Sequence, residues 1–425
     1  MKTKLAALLS LVLVVSACAP AGSTGDDVAL ARADVPRAST APEDAAAAGT
    51  AIAALGLDLY RAIAAGGEAN VVLSPTSIAL ALAMARAGAR GQTAAEMDAV
   101  MRDLGADANA AWLNALDAAL AARSGTFKDD AGQDLAVALR IANAPFAQAE
   151  MPIEQAYLEA LASRYGAGLR LVDYKRETEA ARKVINAWVD DQTEQRIPEL
   201  LVPGVLTPES RLTLVNAIYL KAPWQTAFSL EATQPGAFTR ADGSIVEVPM
   251  MQVGEAMPYA AGAGWRAVEI PYVGGSLAMT VIVPDDLAAF EATLTAEQLA
   301  TITGALADAQ VALTLPKFSI ETKAQLGDTL ATLGMPTAFS DAADFSGITT
   351  AEQLLISEVI HQANIDVDEK GTEAAAATAV VMRAGSAPAE PVTLRVDRPF
   401  LFALRDVPTG AILFLGRVAD PSITR

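Results

Sequence analysis

The stretch 212–220, Leu-Thr-Leu-Val-Asn-Ala-Ile-Tyr-Leu, is apolar on both faces of an extended chain. Side chains alternate across a strand, so such a segment is stable only with cover above and below it. That demand places it at the centre of a large sheet inside a sizeable domain. Asn216 breaks one face, between Leu214 and Ile218, and its amide must find partners there. Aromatic residues make up only 5% of the chain against 52% hydrophobic, so Ala, Leu, Val and Ile must build the surrounding core. Helical periodicity runs through 50–65, 77–87, 93–100, 110–122 and 177–195. Strands are expected at 265–271, 278–283, 310–315, 355–368, 392–396 and 411–418, several of them bounded by Pro and Gly. Helices early and strands late describe an α+β domain built around large sheets.

The first residues read as an address. Lys2 and Lys4 precede an apolar run, 5–15, far shorter than the roughly 20 residues a bilayer-spanning helix needs. Residues 1–17 are therefore expected to be a secretory signal peptide. Val15-Ser16-Ala17-Cys18 resembles a bacterial lipobox, whose cysteine is acylated and becomes the new N-terminus. Ordinary cleavage near Ala17 or Ala19 is the alternative. On the lipobox reading Cys18 is the lipidation site and the chain, once across the inner membrane, is anchored in the cell envelope. Ala19 favours the outer membrane, and extracellular release is the other outcome. Residues 18–48 lack a sustained period and are rich in Ala, Pro, Ser, Thr, Gly and Asp, as in a flexible tether. As a random coil it would reach about 30 Å r.m.s.. No other stretch reads as long and apolar enough to cross a membrane. A length of 425 residues suggests two or three units. With no second low-complexity break and no repeat, however, residues 49–421 read as one domain.

Charge and composition exclude several function classes. Lys and Arg number 31 against 50 Asp and Glu, a balance unsuited to nucleic acid, which needs cations to displace phosphate counterions. One His and one Cys rule out multi-His zinc, Cys-rich zinc and disulfide frameworks, and no metal or organic cofactor is implied. The chain has no Gly-x-Ser-x-Gly elbow, no HExxH and no phosphate-cradling GxxxxGK[ST]. His361 shares a strand face with Val359, Ala363, Ile365 and Val367, the setting of a structural histidine rather than a catalytic base. No catalytic residue is assigned, and the chain is not read as an enzyme.

Behind that strand comes Glu369, Lys370, Gly371, Thr372, Glu373, then Ala374, Ala375, Ala376, Ala377 and Thr378. Taken alone this is an alanine-rich linker or short helix, an odd sequel to a long strand. It is similar to the reactive-loop hinge of the serpin family of serine protease inhibitors. Further matches follow in family order. They include Asn70–Ile78 (NVVLSPTSI), 88–93 (GARGQT), 215–221 (VNAIYLK) with Trp224, 315–318 (LPKF), 344–348 (DFSGI), 397–402 (DRPFLF) and 410–418 (GAILFLGRV). The resemblance spans about residues 50–421, with Ala222 where the family pattern leads one to expect Gly.

That resemblance implies a serpin fold of three β-sheets with about nine helices and an exposed reactive loop at about 369–391. A target serine protease would cleave the loop, form a covalent acyl-enzyme, and be trapped as the loop inserts into the central sheet. The hinge suits that motion. Thr372, Ala374, Ala376 and Thr378 would share the inward face, all small and uncharged, with Glu373 and Ala375 opposite. By motif position Ser74, Ser77, Asn216 and His361 would form the "shutter" beneath the sheet, and Trp224 the "breach" where insertion starts. Family spacing puts the scissile bond near Gly385-Ser386, with Met382, Arg383, Ala384 and Ala387 as alternatives. Small residues there suit elastase-like or subtilisin-like proteases, and Arg383 a trypsin-like one. The expected partner is the protease alone, bound by a monomer. Polyanion activation is disfavoured by the acidic charge. The rival readings are a non-inhibitory serpin-fold binding protein and a hydrolase using His361.

Overall fold

A computed structural model describes residues 28–67, 69–129, 132–373 and 391–424. Among these residues there are nine α-helices and seventeen strands. The principal sheet has eight strands. Its order is Ala29–Ala31, Leu169–Val172, Asp134–Gln148, Leu212–Pro223, Gly371–Thr372, Glu358–Asp368 and Phe318–Gln325, with Gly125–Lys128 added to Asp134–Gln148. A nine-stranded network forms the rest and divides at the long strand Ile245–Gly262. That strand pairs with Gln234–Thr239 and Ala307–Pro316 through residues 245–259, and with Trp265–Pro271 through residues 259–262. The three expected sheets are thus one separate sheet and two that share a strand.

Leu212–Pro223 lies in the middle of the eight-stranded sheet, as its two apolar faces require. Leu214 and Ile218 pack into the main core with Ile78 and Leu82 of helix Pro75–Arg86, every residue of which is buried. Val215 and Ala217, on the other face, pack with Ile185, Trp188 and Val189 of helix Tyr174–Gln192. Helix Pro75–Arg86 starts sharply because the Ser74 hydroxyl accepts from the Ser77 N–H and Pro75 occupies the first turn, where a missing N–H costs nothing.

Several expectations need correction. The later part of residues 18–48 is not a tether: Ala29–Ala31 is a strand, and the first helix begins at Pro42. Pro42 in the first turn with Glu43 and Asp44 makes a good helix start that the alanine-rich composition masked. That helix, Pro42–Ala64, is long and apolar enough to cross a membrane by length and composition, contrary to the sequence reading. Here it packs instead, with Ile52, Leu55 and Leu59 fully buried in the core. Strands Asp134–Gln148, Phe318–Gln325 and Phe400–Asp406 and helix Gln155–Tyr165 were not foreseen at all.

Candidate functional site

The site is the seam between Leu212–Pro223 and Glu358–Asp368. These strands run parallel and pair from Glu358 opposite Thr213 to Gln362 opposite Ala217. Above that point no ladder pair joins them directly among the described residues. The head of the seam is filled by Gly371–Thr372, which pairs antiparallel with both sides: Thr372 with Ala222 and Val367, Gly371 with Pro223 and Asp368. Gly371 is obligatory there. Its φ is +149°, and a Cβ would come within 2.2 Å of the Ala222 carbonyl oxygen.

At the foot of the seam the structure brings Ser74, Ser77, Asn216 and His361 together. The Ser74 backbone N–H donates to His361 Nε2 at 3.0 Å. Nε2 is therefore the bare nitrogen, and the proton on Nδ1 is donated to Asn216 Oδ1 at 2.5 Å. Asn216 Nδ2 in turn donates to the Ile360 carbonyl at 3.2 Å, and the Ser77 hydroxyl meets the Asn143 amide at 2.9 Å. These contacts cross from helix Pro75–Arg86 to both strands of the seam. Burial drives the His361 pKa down to about 3, so the ring is neutral. With both nitrogens engaged and no exposure, it offers a substrate neither a base nor a path to one. The hydrolase reading loses its only candidate base.

Trp224 sits at the head, 1% exposed. Its ring stacks on Tyr272 at 4.4 Å, and its Nε1 donates to the Asp368 carbonyl at 2.9 Å. The Trp224 and Phe228 N–H groups donate to the Lys370 and Glu369 carbonyls at 2.9 and 2.8 Å, so the turn leading into the hinge is held by its backbone. The Tyr272 hydroxyl lies 2.6 Å from the Thr372 hydroxyl. Burial raises the Glu369 carboxyl, but hydrogen bonds from Lys317, the backbone and Thr233 outweigh it and hold the group below the usual carboxylate range. Thr372 points into the core on the His361 face, as alternation requires. Glu373 faces away from it and pairs with Arg196 at 3.3 Å, and Arg196 also reaches Asp366 at 3.2 Å.

Ala374, Ala375, Ala376, Ala377 and Thr378 lie outside the described residues, as do Met382, Arg383, Ala384, Gly385, Ser386, Ala387 and Cys18. The chain resumes at Pro391 and enters strand Val392–Arg395, parallel to Ala307–Pro316. Among the described residues no three His, Cys, Asp or Glu side chains gather as a metal site would need. Sequence reasoning passed over Tyr272, Thr233, Arg196 and Asn143, none of which stands in a motif. Lys317 stood in one, but nothing local tied it to Glu369.

A parallel seam, closed at its foot by a buried polar cluster and at its head by the inserted pair Gly371–Thr372, defines an α+β protein organised around one large sheet. A family model described as Serpin (serine protease inhibitor) matches residues 50–421. The chain belongs to the serpin family. It is 37% identical over 364 residues to the leukocyte elastase inhibitor of Bos taurus, covering 83% of this chain and 93% of that protein. Its fold is similar to Serpin48 of the insect Tenebrio molitor, with a TM-score of 0.76 at 28% identity, covering 88% and 98% of the two chains. It is as similar to human thyroxine-binding globulin in complex with thyroxine, with a TM-score of 0.77 at 26% identity over 90% and 100%.

Proposed function

We propose that this serpin is a suicide-substrate inhibitor of serine proteases of elastase-like or subtilisin-like specificity. The observation that carries this reading is Gly371–Thr372 seated at the head of the seam, followed in sequence by Ala374, Ala375, Ala376, Ala377 and Thr378. The protease serine attacks a loop carbonyl, the peptide nitrogen leaves with a proton, and the N-terminal side remains as an ester on the enzyme. The freed strand then extends the Gly371–Thr372 pairing down the seam, the strand addition for which serpins are known. About a dozen new ladder residues at about 1 kcal/mol net each give on the order of 10 kcal/mol, comparable with a domain's whole stability. The uncleaved state is then a kinetic trap. The bond between Gly385 and Ser386 is the proposed cleavage site, with Met382, Arg383, Ala384 and Ala387 next to it in rank. Acylation of Cys18 would hold the inhibitor, a monomer, in the cell envelope.

The likeness to a thyroxine-binding protein supports a second reading, in which the same fold binds a partner and traps no enzyme. Incubation of the chain lacking residues 1–18 with elastase, subtilisin and trypsin separates the two. A covalent band at the summed mass, with one protease preferred, supports inhibition, and the mass of the released C-terminal peptide locates the cut. Loop cleavage with neither a covalent band nor a rise in melting temperature favours the binding protein.

A further inference from the structure

The segment ahead of the first helix is fastened to the domain at two places. Ala29–Ala31 pairs antiparallel with Leu169–Val172 and becomes the outermost strand of the eight-stranded sheet, with Val28 packed into the cluster of Trp188. A few residues on, Arg37 Nε donates to Asn114 Oδ1 at 2.6 Å and its Nη2 pairs with Asp117 at 2.6 Å. Asn114 Nδ2 donates to the Ala38 carbonyl at 2.9 Å, and the Ala38 N–H donates to the Ser163 carbonyl at 2.9 Å. Asn114 is 1% exposed, and both ends of its amide are spent on this segment. The seat is shaped for backbone: a Cβ on Gly168 would come within 2.9 Å of both the Ala31 carbonyl oxygen and Leu30 Cδ1.

The two fastenings lie on different parts of the molecule. The first holds the edge of the half-sheet that ends inward at Leu212–Pro223. The second holds helices Ala110–Ala121 and Gln155–Tyr165. Placing a full strand in the seam separates Leu212–Pro223 from Glu358–Asp368 by about one further strand spacing, ~4.8 Å. The half-sheet on one side of the seam must then move relative to its surroundings. The strap ties that half-sheet's outer edge to helices that are not part of it. It also grips Leu169–Val172, the strand that leads directly into helix Tyr174–Gln192 packed over the seam.

We propose that residues 28–38 are a strap that resists opening of the sheet and so prolongs the uncleaved state. The proposal rests on the loop-insertion reading above and adds a restraint to it. It is tested without any protease, by the rate at which the sheet takes up a synthetic peptide of residues 372–383. The chain lacking residues 1–18 is compared with its Gly168→Val and Arg37→Ala forms, uptake being followed by native gel and intact mass. Gly168 has an ordinary backbone conformation, so valine there obstructs the strap without straining its own position. Both variants are expected to bind the peptide several-fold faster than the parent. Amide exchange is expected to quicken at Leu169–Val172, with near-ultraviolet circular dichroism unchanged. Equal uptake rates in variants that retain that spectrum would overturn the strap. Peptide uptake by none of the three would overturn the insertion reading itself, and the strap with it.

Discussion

The hydroxyls of Tyr272 and Thr372 lie 2.6 Å apart beneath the end of the seam, with the Tyr272 ring stacked on Trp224. Burial raises the Tyr272 phenol well above its ordinary pKa, so it stays neutral and remains able to donate. Tyr272→Phe removes that hydroxyl and leaves Thr372 without its side-chain partner, at a cost of roughly 1–3 kcal/mol to the seated hinge. Amide exchange at residues 371–373 is expected to rise by about ten-fold or more, with other strands unaffected. Unchanged exchange at the hinge would mean that the backbone pairing alone holds it.

Gly371→Ala attacks the same seat through the backbone. The new methyl would collide with the Ala222 carbonyl at a φ that alanine rarely adopts. The hinge is expected to leave the seam, and limited proteolysis after residue 368 should speed up while the core melts within a few degrees of the parent. Native-like resistance to proteolysis would show that the strand shifts to admit the methyl.

Thr372→Arg tests insertion itself. Thr372 is buried on the inward face, and an arginine there would have to lose its hydration without a partner. The variant should be cleaved by the same protease as the parent but yield no covalent complex and no rise in melting temperature. A covalent band of parental yield would count against insertion as the trapping step.

His361 makes the pH dependence unusually clean, because the chain has only one histidine. Its folded pKa of about 3 lies below the ordinary 6.5, so the neutral ring is the form the fold keeps. Below about pH 6.5 the unfolded chain takes up a proton that the fold refuses. The stabilisation is present above that pH and is lost progressively as pH falls toward 3. Between pH 7 and pH 5 this one group accounts for about 2 kcal/mol. His361→Gln should be less stable than the parent at pH 7, because its amide cannot reproduce both ring contacts. Its denaturant midpoint should nevertheless fall less between pH 7 and pH 5. Parallel losses in the two proteins would show that the ring is protonated in the fold.

Much of this architecture was legible because it rests on local periodicity. The run 212–220 had to be central since both its faces are apolar, and Trp265–Pro271 was bounded correctly, with a proline closing it. Asp134–Gln148 escaped notice because its burial alternates over residues 134–140 but is continuous over 144–148, so no single period runs through it. Ala29–Ala31 escaped because three residues carry no period, and their partner lies far along the chain at Leu169–Val172.

The sequence by itself determined the central place of the run 212–220, the family and the residue types of the hinge. These depend on spacing between near neighbours and on side-chain size. Tertiary structure alone decided that Ser74 meets His361, that Glu369 is held by Lys317 and Thr233, and that residues 28–38 strap the sheet. Each of those contacts closes a long loop of chain, and only the packing of the whole core repays that entropy. No pattern within a window of sequence records which distant partner the packing selects.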